Sequence, residues 1–127
     1  MNLKIIAIYT CFSIVLGIIA GIPFGFWMAH DEEIIDSPIY YSLNYMTGFM
    51  VSFFVYYFLF KVRMERPILH TVIVGVLSYV LAALALYVVA GVFSPDLFLF
   101  VDSLLMVFTI GLARHTCEAR GEFGVRI

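Results

Sequence analysis

The chain has 127 residues, of which 64% are hydrophobic and 13% charged. Soluble domains carry about 45–50% apolar and about 25% charged residues, and a globule of this size cannot hide such an apolar excess from water. Disorder is excluded too, because 13 Phe and 8 Tyr are the opposite of its signature.

What remains is an all-α integral membrane protein. A bilayer core of about 30 Å needs roughly 20 apolar residues as a helix, and four stretches qualify. They are Ile5 to about Trp27, Pro38–Phe60, Pro67–Val92 and Pro95–Ala113, referred to as spans 1 to 4. The pieces between them are short, so the expectation is one compact four-helix transmembrane domain with a polar tail over residues 114–127. Lys4 before span 1 imitates a signal peptide, but the apolar run is too long and no small-residue cleavage site follows it. Span 1 is therefore read as uncleaved.

Span 1 carries Ser13, Gly17, Gly21 and Gly25 at intervals of four, which lays small residues along one helix face. Such a face lets a second backbone approach closely, either from within the chain or from a partner. Gly48 and Ser52 on span 2, with Gly75, Ser78 and Ala82 on span 3, make weaker seams. Ser37-Pro38 and Ser94-Pro95 each pair a capping hydroxyl with Pro at the first helical position, and Pro67 starts span 3 similarly.

The charges fix an expected orientation. All 7 Lys and Arg fall before span 1, between spans 2 and 3, or after span 4. The other two connections carry Asp31, Glu32, Glu33, Asp36 and Asp96 instead. By the positive-inside rule both termini face the cytoplasm, as in a multi-pass protein of a plasma membrane such as the bacterial inner membrane. Trp27, Tyr40 and Tyr41 then sit at the outer headgroup level.

Asp102 is the most informative residue. It lies about 12 Å below the Ser94 cap at 1.5 Å per residue, where a carboxylate by default marks a function. No Lys or Arg lies within a span to pair with it, so neutral hydrogen-bond partners are expected. Asn44 is about 10 Å below Ser37, and Tyr45 and Tyr87 fall near that level. Asn44, Tyr45, Tyr87 and Asp102 are thus expected to form an outer polar layer. It could be an interhelical hydrogen-bond network, a proton or cation path, or a contact with a partner helix.

No catalytic or cofactor-binding constellation is visible. Ser103 has no histidine in reach, since His70 and His115 belong to the opposite side of the membrane. The acidic stretch Asp31-Glu32-Glu33 matches no calcium loop and reads as a solvated face. His115-Thr116-Cys117-Glu118 offers too few ligands for a closed zinc site. Cys11, in an apolar run, and Cys117, in the tail, read as reduced thiols rather than a disulfide. A net charge of −2 gives no reason for nucleic-acid binding.

The expected function is therefore non-catalytic, with the lipid bilayer as solvent and a membrane protein or a second copy as partner. An accessory or assembly subunit, or an immunity-type binding protein, fits that description. The alternative is an oligomeric transporter or channel using Asp102 and Asn44. Orientation is directly testable in a Cys-free background. Single cysteines at Glu33 and Asp96 should react with an impermeant thiol reagent on intact cells. One at Gly121 should react only after lysis, and its labelling from outside would reverse the orientation.

Overall fold

Ser37 begins its helix as its sequence context dictates: the hydroxyl accepts from the Tyr40 amide at 3.1 Å, and Pro38 follows at the first helical position. A computed structural model describes residues 2–62, 64–90 and 97–124, and these are all-helical. Helix α1 spans Leu3–His30, a short 3₁₀ turn Glu32–Asp36, α2 Pro38–Lys61, α3 Pro67–Ala90 and α4 Leu97–Ala119. Among the described residues three stretches are long and apolar enough to cross a membrane: α1, α2 and Pro67–Ala85 of α3. The Ser94-Pro95 cap and Asp96 lie outside the described residues. At the start of α1 the cap is Asn2, whose side chain accepts from the Ile5 amide at 3.3 Å. The helix then runs on through Pro23 to His30.

The helices alternate in direction. The Tyr9 hydroxyl near the start of α1 donates to the Phe58 carbonyl near the end of α2 at 3.4 Å, and the Asn2 amide donates to His70 Nε2 at the start of α3 at 3.0 Å. Helix α2 is the hub. Its largest interface is with α4, while α1 packs on both α2 and α3; α3 and α4 touch least among the packed helix pairs. Along α2, Phe49, Phe53 and Tyr57 stack at intervals of one turn with ring centroids 6.4 and 6.1 Å apart, and Phe108 of α4 meets Phe49 at 6.2 Å. Lys61, one turn further on, sits 5.5 Å from the Tyr57 ring centre.

The buried core of the bundle lies in one half; in the other, α1 and α2 still meet, with the Phe24 and Tyr40 ring centroids 5.8 Å apart. Buried side chains are Ile6 and Thr10 on α1, Val55, Tyr56, Leu59 and Phe60 on α2, His70, Thr71 and Val74 on α3, and Thr109, Ile110, Ala113 and Cys117 on α4. All lie towards the end that carries Lys4, Lys61, Arg66 and Arg114. Towards the acidic turn no described residue is buried, and Ile18, Ile22, Leu84 and Val88 are exposed. His70 is 3% exposed. Its Nδ1 hydrogen-bonds the Arg66 carbonyl at 2.8 Å, while Nε2 accepts from Asn2. Each ring nitrogen thus has one role, that of the neutral ring protonated at Nδ1.

The tail also departs from expectation. Residues 114–119 continue α4, helped by the Arg114–Glu118 pair at 2.7 Å one turn apart. The helix ends in a Schellman motif: the Gly121 amide donates to the Glu118 carbonyl at 3.0 Å and the Glu122 amide to the Cys117 carbonyl at 3.1 Å. Gly121 takes φ +66°, a left-handed conformation that glycine adopts without a Cβ penalty. That reversal returns the chain to the end of α2. Phe123 stacks on Phe60 at 5.8 Å, and the Gly124 amide satisfies the Phe60 carbonyl at 3.0 Å. Glu122 lies 3.3 Å from Lys61 and accepts from the Tyr57 hydroxyl. Cys117, fully buried beneath this clasp, is a free thiol pushed up in pKa by burial and by the Glu122 carboxylate.

The Tyr57 hydrogen bond, and then Lys61, hold the Glu122 carboxyl below the ordinary carboxylate range. Its contribution is complete above the usual Glu value of about 4.3 and is lost as pH falls through the lowered native value. The protection factor of the Gly124 amide, its exchange rate divided into the intrinsic rate at the same pH, should therefore fall on acidification in that window. In Glu122→Gln it should be low already at neutral pH. Equal protection in both proteins at both pH values would show that the clasp does not depend on this carboxylate.

Candidate functional site

One residue stripe from each of α2, α3 and α4 faces a common space, and Ser13 of α1 closes its side. On α2 the stripe is Asn44, Gly48, Ser52 and Tyr56, each four residues from the last, so one helix face supplies them all. Helix α3 contributes Gly75, Ser78 and Tyr79, and α4 contributes Asp102, Met106 and Thr109, three or four residues apart. Tyr45, Phe49, Val76, Ser103 and Leu105 complete the lining of a 560 Å³ cavity. From Asn44 to Tyr56 it runs about 18 Å along the helix axis.

The floor is tight. Gly75, Tyr56 and Thr109 are buried there, and a Cβ on Gly75 would lie 2.7 Å from the Tyr56 hydroxyl and 2.8 Å from the Met106 sulfur. The Thr109 hydroxyl turns back onto the Leu105 carbonyl at 2.6 Å and so is satisfied within its own helix. The mouth is open: Asn44, Gly48, Val76, Tyr79 and Ser103 are exposed, and Asp102 is half-buried. Between the two, Ser78 Oγ is buried with no hydrogen-bond partner.

Three of the four expected polar-layer residues share this cavity. Asn44, Tyr45 and Asp102 line it, although Asn44 is exposed rather than enclosed. Tyr87 does not join them; it is 54% exposed on the outer part of α3. Ser78, Tyr79, Tyr56 and Thr109 join instead. Of these, only Ser78 carries a sequence signal, as a member of the small-residue seam on span 3.

The small-residue face of α1 divides. Ser13 lines the cavity, but Gly17, Gly21 and Gly25 have nothing within 4 Å of where a Cβ would stand. Among the described residues nothing packs closely on that face, and a single described glycine, Gly75 of the weaker seams, makes a close helix contact. Among the described residues no three His, Cys, Asp or Glu side chains are grouped to hold a metal ion.

No protein-family model, curated protein or solved structure matches the chain.

The contrast between glycines is measurable. Gly75→Ala must displace the Tyr56 ring or the Met106 side chain, and overpacking of this kind costs about 1–3 kcal/mol. Gly21→Ala meets open space and should leave thermal stability in detergent within about 0.5 kcal/mol of the parent. Equal melting temperatures for the two variants would place the close contact elsewhere.

Proposed function

We propose that the chain crosses the bilayer four times with both termini in the cytoplasm. It acts there without catalysis, by helix–helix contact with another membrane protein, as an accessory or assembly subunit or an immunity-type binding protein. Support for a fourth span comes from α4 lying along α2, its largest interface. Orientation rests on Lys4, Lys61, Arg66, Arg114 and Arg120 at one end of the helices against Asp31, Glu33 and Asp36 at the other. The carrying observation for function is the unpartnered face at Gly17, Gly21 and Gly25. Lipid tails are as apolar as Leu, so only close packing rewards helix association in a bilayer, and small residues permit it. The half of the bundle that lacks its own core presents this face.

A second reading, a small transporter or channel, is favoured by the polar cavity around Asp102 and Asn44. The two readings separate by crosslinking in native membranes from a cysteine at Ile22, with Cys11 and Cys117 replaced. The first expects an adduct with a different protein, abolished by Gly21→Leu. A homodimer alone would favour the second reading, and recovery of monomer alone would overturn partner binding through this face.

A further inference from the structure

We infer that the cavity between α2, α3 and α4 binds a monovalent organic ammonium ion with an apolar body. Among the described residues Asp102 is the one ionisable carboxylate in its lining, and no Lys or Arg lines it. A carboxylate so placed lacks a counter-charge, which a bound ammonium group supplies through a charge-assisted hydrogen bond or ion pair. An anion would meet only repulsion from Asp102. A bare divalent ion would find a single carboxylate where hard cations gather six or more oxygens.

The rest of the lining suits the apolar body. Tyr45, Phe49, Tyr56 and Tyr79 bring four aromatic rings to the same space, and aromatic faces attract cations as well as apolar surface. The volume of 560 Å³ falls within the range of about 300–1,000 Å³ that holds small organic ligands. Ser78 Oγ, buried and unpartnered, is an acceptor left open for an N–H or hydroxyl donor on the ligand. Entry is from the side, past the exposed Val76 and Tyr79, where α3 and α4 touch least. The site does not depend on a partner at the α1 glycine face.

An ammonium group can arrive on a free amine or on a lipid headgroup, and the test separates them. Purified full-length protein in maltoside is titrated with tritiated benzyltrimethylammonium, with neopentylbenzene, its uncharged isostere, as competitor. In parallel, protein from membranes containing phosphatidylethanolamine is examined by native mass spectrometry for retained lipid. Saturable binding of the free cation, resisted by the isostere, identifies a free-amine site. One retained phosphatidylethanolamine per chain, displaced by the cation, identifies a headgroup site. In either case Asp102→Asn should weaken binding on the order of tenfold or more, because the amide leaves the bound cation without its counter-charge. Ser78→Ala should weaken it a few-fold for a ligand with an N–H and leave the trimethylammonium probe unaffected. Unchanged gel-filtration profiles and melting temperatures confirm that both variants fold, and Asp102→Glu, if Asn misfolds, should retain binding. Absence of saturable binding of either kind, equal competition by the isostere, or undiminished binding to a folded Asp102→Asn would overturn the assignment.

Discussion

The helices of this protein are held together at one end, where Val55, Leu59, Phe60, Val74, Ala113 and Cys117 are fully buried against one another. Everything else follows from that convergence. Close packing is what binds helices in lipid, so the half that achieves it fixes the relative positions of all four. The first residues of α1 are tied in by the Asn2–His70 bond, and the chain's return after α4 is tied in by Phe123 and Glu122. Beyond the core the helices keep side-chain contacts such as Phe24–Tyr40, and the cavity opens between α2, α3 and α4 with Gly75 at its tight floor.

Helix α2 can serve as hub because its turns repeat three chemistries side by side. Phe49, Phe53, Tyr57 and Lys61 make an aromatic stripe ending in a cation that Glu122 clasps. Asn44, Gly48, Ser52 and Tyr56 face the cavity, and Val55 and Leu59 face the core. Four-residue spacing drifts by only about 40° per step, so each stripe stays on its own neighbour for several turns. The polar stripe becomes buried only at Tyr56, where the core begins. Upstream of that point Asn44 and Gly48 are exposed at the mouth.

Helix starts were legible because their chemistry is local. Ser37-Pro38 and Pro67 begin α2 and α3 at the residues the sequence marks. The end of α4 was not legible from hydropathy, since Arg114, His115 and Glu118 read as tail. Pairing one turn apart and a glycine at the left-handed position carry the helix further, and neither registers as apolar. The glycines of α1 announce a face that can accept a backbone, but spacing does not say where the backbone comes from. Gly75 belongs only to a weaker seam, and its close contact arises from Tyr56 and Met106, which belong to other helices. Tyr87 shows the limit of counting depth. It sits eight residues beyond Tyr79, which turns it about 80° around the helix axis, so correct depth still leaves it off the cavity face.

Asp102 gains its meaning from the space beside it. On the proposed four-span reading, a carboxylate at this depth costs about 2.5–3.5 kcal/mol on insertion scales, and a leucine there would remove that cost. The surrounding residues do not bury the cost in a closed hydrogen-bond network, because a 560 Å³ cavity separates the helices at this level. Nor do they remove it by exposure alone, since Tyr56, Gly75 and Thr109 keep the floor dry-packed. A half-buried acid above a sealed floor and below an open mouth has access to one side only. That arrangement suits capture and release from the same side far better than passage through the chain. A continuous conduit would need the Gly75–Tyr56–Met106 contact to part, and that contact is the tightest approach a glycine makes among the described residues.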